Sequence, residues 1–145
     1  HVELMRYPKN IYLSDNIIIK EGVKICPANN NAMIKIGNNT TIGYYSMLFC
    51  SLRIEIGNNC LIAPFTYFVD ANHGIVKSQL INQQKMDVRP IKINDDVWIG
   101  QNVTITGGVE IGKGAVIAAK SLVNRNVPPY TVWGGVPANF VKDRI

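Results

Sequence analysis

Residues 93–127 read INDDVWIGQNVTITGGVEIGKGAVIAAKSLVNRNV, and within them Ile93, Ile99, Ile105, Ile111, Ile117 and Val123 stand six apart without a break. Four residues after each comes Val97, Val103, Val109, Ala115, Ser121 or Val127. An α-helix repeats near 3.6 residues and a strand at 2, so neither alone produces this rhythm. A short strand followed by a corner does. If each unit is one side of a triangular prism, three units close a coil of about 18 residues, with the aliphatic pointing inward and the small residue leaving room where the backbone bends. Coils then stack at the strand spacing of about 4.8 Å, and each side becomes a parallel sheet. The expected fold class is therefore all-β, a parallel β-helix.

Working outward, the earlier chain carries the same frame in Ile36, Ile42 and Leu48, then Ile56, Ile62 and Phe68, with Thr40, Ser46, Cys60 and Thr66 at the fourth step. Ile19 and Ile25 start the series. The pairs Asn38-Asn39 and Asn58-Asn59 suit corners that need left-handed backbone. Three interruptions break the rhythm: Cys26 to Met33, two residues at Arg53 to Glu55, and a long one after Phe68, whose successor falls only at Ile93. The first two read as bulged corners. The third requires an excursion of residues 74–92, and a loop of that length in a compact repeat is usually functional. The organisation expected is an N-terminal cap over residues 1–16, a β-helix over 17–127 and a C-terminal cap over 128–145. In the last of these, Pro137 is positioned to open a short helix from Ala138 to Arg144.

Composition agrees with this frame. The 145 residues are 47% hydrophobic and 17% charged, which suits one globular domain with an adequate core. Twenty Ile and 14 Val against 7 Leu, with 16 Asn, favour strands and turns over helices. No apolar run approaches the ~20 residues of a membrane span and no secretion signal opens the chain, so a cytoplasmic protein without stable membrane insertion is expected. Cys26, Cys50 and Cys60 lack CxxC spacing and read as reduced core thiols. The net charge of +5 is enough to attract a phosphorylated ligand, but the chain lacks the dense basic runs of a nucleic-acid arm.

The residue with chemistry is His73, the only imidazole besides terminal His1. It ends the run Asp70-Ala71-Asn72-His73, where the excursion departs. Both His73 and Trp98 take the last, outward position of their six-residue units, at successive corners of neighbouring turns. Imidazole is the side chain whose ordinary pKa best suits taking a proton from a hydroxyl near neutral pH. Asp70, three residues earlier, is placed to hydrogen-bond the other ring nitrogen and fix its tautomer. On these residues alone, a hydrogen-bonded loop histidine and a catalytic one stand as equal readings.

The motifs Ile56-Gly57-Asn58-Asn59-Cys60-Leu61-Ile62-Ala63-Pro64, Asp70-Ala71-Asn72-His73, Ile93-Asn94-Asp95-Asp96-Val97-Trp98-Ile99-Gly100 and Val132-Trp133-Gly134-Gly135-Val136-Pro137-Ala138 together resemble the hexapeptide-repeat acyltransferases over residues 17–144. The sugar O-acetyltransferases, including maltose, galactoside, capsule and O-antigen enzymes, are the group they resemble most. The resemblance implies a left-handed parallel β-helix that assembles as a homotrimer, with sites between subunits and acetyl-CoA as co-substrate without a metal. It places His73 on the family's general base and Gln101 on the residue whose backbone N–H holds the oxyanion. Trp98 matches the tryptophan at the thioester end. The cofactor groove maps to Trp98, Gly100, Gln101, Ala118, Ala119 and Asn124, and Lys142 matches a basic residue near the nucleotide phosphates; Asn139 stands where maltose and galactoside enzymes often carry Arg, and Arg125 or Lys120 is the candidate substitute. For the acceptor, Asn72, Tyr45, Tyr67 and Trp98 are the candidates. Cys60 takes no nucleophilic role.

Rival readings differ in what they require. A γ-class carbonic anhydrase shares this kind of fold but needs three histidines on zinc, and only His73 is internal. An amino-sugar N-acetyltransferase would use the same fold and cofactor, and His73 does not discriminate it. A streptogramin acetyltransferase is a third enzymatic reading, without any sign of a wide apolar pocket. A structural β-helix accounts for the repeat but leaves unexplained one outward histidine at the mouth of an excursion.

Overall fold

The computed structural model describes all 145 residues, His1–Ile145. The chain winds as a three-sided parallel β-helix of about six coils. The first face stacks Glu3–Leu4, Lys24–Pro27, Met47–Cys50, Tyr67–Val69, Thr104–Thr106 and Leu122–Val123. The second stacks Ile11–Leu13, Met33–Ile36, Arg53–Ile56, Ile91–Ile93 and Glu110–Ile111, extended by an Ile111–Val127 bridge. The third stacks Ile18–Ile19, Thr41–Ile42, Leu61–Ile62, Trp98–Ile99, Val116–Ile117 and Thr131–Gly135.

The six-residue ladder is the core. Ile36, Ile42, Leu48, Ile56, Ile62, Phe68, Ile93, Ile99, Ile105, Ile111, Ile117 and Val123 are all buried, as are the fourth-step residues from Thr40 to Val127. Ile42, Ile62, Ile99 and Ile117 lie in exact register up one face, so each packs on the equivalent side chain of the next coil. The buried hydroxyls find partners locally: Thr40 Oγ1 donates to the Gly57 carbonyl at 2.9 Å, and Ser121 Oγ to that of Ala118 at 2.7 Å. Isoleucine fits this role because its branched Cβ both favours the strand and fills the pleated interior.

The corners share one device. Asn16, Asn39, Asn59, Asp96, Gly114 and Tyr130 follow one another down the edge between the second and third faces, each with a φ of 55–70°. Each N–H from Asn39 onward donates to the carbonyl one residue earlier in the sequence frame of the coil above, as Asn59 does to Asn38 at 2.8 Å and Asp96 to Asn58 at 2.9 Å. The amides stack too: Asn39 Nδ2 donates to Asn59 Oδ1 at 3.2 Å. Asparagine tolerates the left-handed conformation and ties it down through its side chain, which accounts for its use at Asn16, Asn39 and Asn59.

Four boundaries differ from the sequence expectation. Residues 1–16 are not a separate cap, because Glu3–Leu4 and Ile11–Leu13 already form two sides of the first coil. The second interruption lies at Ser51–Leu52, between strands Met47–Cys50 and Arg53–Ile56. The excursion leaves and rejoins earlier than 74–92: Ala71–Asn72 pairs antiparallel with Asp87–Val88, and Ile91 and Lys92 are already back in the second face. The expected helix Ala138–Arg144 is instead strand Ala138–Asp143, antiparallel to Thr131–Gly135. The open edge of the third face supplies unpaired backbone groups that this segment satisfies as a strand, and that outweighs a lone Pro signal for a helix start. No helix is long and apolar enough to cross a membrane.

Candidate active site

His73 stands on the short antiparallel hairpin Ala71–Asn72/Asp87–Val88 that projects from the edge between the first and second faces. Its ring is exposed, as is the side chain of Asn72, and no hydrogen bond within the chain engages the imidazole. Trp98 opens the third face of the same coil, in register with Leu61 above and Val116 below, and is 54% exposed. The two residues therefore share a coil instead of occupying neighbouring turns. In a triangle, the edge between the first and second faces is opposite the third face, so the full width of the core separates them.

Asp70 does not orient the imidazole. Its carboxylate is buried and turns back into the coil above, where it accepts the N–H groups of Ser51 at 2.6 Å, Leu52 at 2.7 Å and Arg53 at 2.8 Å, and the Cys50 thiol at 3.4 Å. The amide donors are those of the two-residue corner and of the strand residue that follows it, and the carboxylate is wholly buried and turned inward to them, away from His73. Burial and the adjacent Asp70 charge push the Cys50 thiol up to about 12, so it stays protonated. Sequence reading assigned Asp70 to its neighbour in sequence. The signal that identifies its real partner is the pair of surplus residues in the previous coil, directly above.

The other candidates fall into two groups. Gly100 and Gln101 turn the edge between the third and first faces, and Ala118 and Ala119 turn the same edge one coil on. A Cβ on Gly100 would meet the Ala119 nitrogen at 2.6 Å, so only glycine permits that stacking. The Gln101 N–H donates to no acceptor in the chain, unlike that of Asn102, which reaches the Pro64 carbonyl at 3.0 Å. Lys142 lies on the final strand, paired with Val132. These residues and Trp98 line the third face and its border. Asn124 and Arg125 belong to the second group, exposed on the edge that carries His73, two coils further on.

Tyr67 projects from the first face at 36% exposure. Tyr45 lies at a left-handed corner, φ 56°, with its ring stacked on Phe65 at 5.6 Å. The Tyr45 ring also covers Gly22, where a Cβ would come within 2.2 Å of Cδ1, so its position is fixed by the coil above. Beside it, a groove of about 250 Å³ runs along Lys20, Tyr44, Leu61, Pro64 and Trp98. Arg144 walls a second groove of about 350 Å³ next to Trp98, held by Asp96 Oδ2 at 2.9 Å and the Gly114 carbonyl at 2.8 Å. That clamp has no signature in the six-residue frame, since it joins the last turn of sequence to a corner 48 residues away.

The fold is the left-handed parallel β-helix of the hexapeptide-repeat acetyltransferases, and the chain belongs to this family. Residues 90–125 match the bacterial transferase hexapeptide model (six repeats). The chain is 36% identical to galactoside O-acetyltransferase of Escherichia coli over 76% of its own length, and spans about half of that relative, 54%. Among solved structures, the hexapeptide-repeat acetyltransferase VCA0836 of Vibrio cholerae complexed with acetyl-CoA superposes with a TM-score of 0.82 at 34% identity, covering 94% of this chain and 73% of that one. A maltose O-acetyltransferase of Clostridium difficile does so with 0.82 at 31%, covering 94% and 72%.

Proposed function

We propose that the protein is an acetyl-CoA-dependent sugar O-acetyltransferase working as a homotrimer, with His73 of one subunit facing the third-face border of the next. The observation that carries this reading is the pairing of two unsatisfied groups on different edges of the prism, with the first face between them: a free imidazole on a built hairpin, and the unpartnered Gln101 N–H beside Trp98. One chain cannot bring them together. Two adjacent copies can, and the groove between them has one wall of small residues, Gly100, Ala118 and Ala119, suited to a pantetheine arm.

In that cleft the reaction is a direct transfer. The His73 imidazole takes the proton from a sugar hydroxyl as its oxygen attacks the thioester carbonyl, the Gln101 N–H donates to the developing oxyanion, and collapse expels the CoA thiolate, which recovers the proton from the imidazolium. Cys60 supports the absence of a covalent acyl-enzyme: it is buried, burial raises its thiol pKa, and its S–H donates to the Asn94 carbonyl at 3.2 Å. The +5 charge, with Arg125 and Lys142 exposed, favours a nucleotide phosphate. Exposed Asn72, Tyr45 and Tyr67 are the acceptor contacts this reading offers.

The test is thiol release from acetyl-CoA in the presence of galactosides, maltose and glucosamine, with the product identified as ester or amide. His73→Ala should lower turnover by about 10²- to 10⁴-fold while leaving the oligomer intact, since the ring holds nothing in its own chain. Turnover equal to the parent's ends the reading, and an exclusively amide product ends its O-acetyl part.

A further inference from the structure

His73 is followed at once by the irregular arch of the excursion, and one side chain gathers that arch. Gln84 Oε1 accepts the Val76 N–H at 2.8 Å, and Gln84 Nε2 donates to the carbonyls of Val76 at 3.0 Å and Gln79 at 2.9 Å. Both amide protons and the carbonyl are thus used within one local segment. The same side chain presses against the residue next to His73. A Cβ on Gly74 would meet Gln84 Oε1 at 2.7 Å, Gln84 Cβ at 2.8 Å and the Lys85 carbonyl at 3.0 Å.

The imidazole has no partner of its own, so its placement depends on the backbone at residues 72–76. Upstream, that backbone is fixed by the pairing of Asn72 with Asp87 and by the Arg89 N–H donating to the Asp70 carbonyl at 2.8 Å. Downstream, the next fixed point is the Gln84 carboxamide. We propose that Gln84 is a positioning residue for His73, clamping the Gly74–Val76 backbone so that the imidazole is presented at one height and angle to the neighbouring subunit. This rests on the reading of His73 as the base.

The chemistry of the clamp is specific to glutamine. Asparagine is one methylene too short to span the three contacts. Glutamate loses both donors and sets a negative charge against two carbonyls. Leucine keeps the bulk and none of the bonds. Gly74 is the complementary half, because any side chain there displaces the carboxamide from the other side.

Gln84→Leu and Gly74→Ala, made in the 145-residue chain, test the proposal by three readouts. Hydrogen exchange of the peptide spanning 71–86 should accelerate at least tenfold in both variants while coil peptides are unchanged. In histidine-labelled protein, whose only other imidazole is His1, the His73 ring signal should shift and broaden. With acetyl-CoA and galactosides as probes, kcat should fall about tenfold while KM for acetyl-CoA stays within twofold, as expected for a misplaced group as opposed to a lost binding site. Unchanged exchange and ring signal in Gln84→Leu overturn the clamp. Accelerated exchange with unchanged kcat, in a protein that His73→Ala inactivates, overturns the positioning role and leaves the base intact. A His73→Ala enzyme with full turnover overturns the base and the positioning claim together, and that result is recognisable without any Gln84 variant.

Discussion

Asp70 Oδ2 lies 2.7 Å from the Leu52 nitrogen, one coil above it in the stack. With Ser51 and Arg53 it completes a trio of amides on one carboxylate, so the residue three before His73 holds a corner of the scaffold together. The excursion departs directly from this anchor.

Removing that anchor leaves three N–H groups without their acceptor in the interior, while the Cys50 thiol keeps the Met33 carbonyl at 3.3 Å. Asp70→Ala should cost about 3–5 kcal/mol, the scale of an interior charge network broken from one side, measured as the shift in urea midpoint against the parent. Asp70→Asn, which turns an amide toward the donors, should recover only part of it. A loss under about 1 kcal/mol for Asp70→Ala contradicts this account of the corner.

Cys50 links the same anchor to pH. Its thiol ionises near 9.0 in the unfolded chain and is pushed up to about 12 in the folded one, so the folded state holds a proton that the unfolded state releases. Its contribution to stability is complete below pH 9 and declines as pH rises toward 12, by at most about 1.4 kcal/mol per pH unit. Between pH 9 and 11, therefore, urea stability should fall more steeply in the parent than in Cys50→Ser. Parallel slopes for the two proteins would contradict the assignment.

The opposition of His73 and Trp98 across the core predicts complementation. His73→Ala and Ala118→Trp, the latter filling the small-residue border, should each be inactive, yet a mixture denatured and refolded together should regain turnover, because some interfaces then combine two unaltered halves. Recovery absent from a mixture shown by mass spectrometry to contain hybrid oligomers would place both halves in one subunit.

Core and corner positions should respond on different scales. Ile99→Ala opens a void between Ile62 and Ile117 and should destabilise by about 2–5 kcal/mol. At Asn59, φ 57°, Gly should be tolerated within about 1 kcal/mol, whereas Val should cost about 1–3 kcal/mol through its branched Cβ. Thermal unfolding of the three variants checks the order.

The core was legible because its rule is local. Ile99 implies Ile105 and Ile117 by counting, and every such residue from Ile25 onward is buried, with Ile19 of the first coil partly so. Counting failed where a corner is looped out. Ile34, Ile54 and Ile91 occupy the place two before the aliphatic that Thr, Cys or Val takes elsewhere, yet they are wholly buried, because a looped corner does not demand the small residue that a tight bend does. The candidate residues were legible by position, but what they touch was not. His73 and Trp98 stand out by position, but Asp70 and Gln84 act through backbone amides, which no pattern of side-chain types reveals. The segment from Ala138 failed for a related reason, since its partner is an exposed edge created only when the last coil is in place.

The stacked geometry gives the imidazole an address along the axis. The hairpin bearing it is tied to the fourth rung, and rungs are added in whole steps of about 4.8 Å. Moving the insertion to the rung above or below would displace the imidazole by one such step relative to Trp98 while leaving every rung's own pairing intact, so on the proposed reading of His73 the reach of this scaffold toward longer or shorter acceptors is quantised.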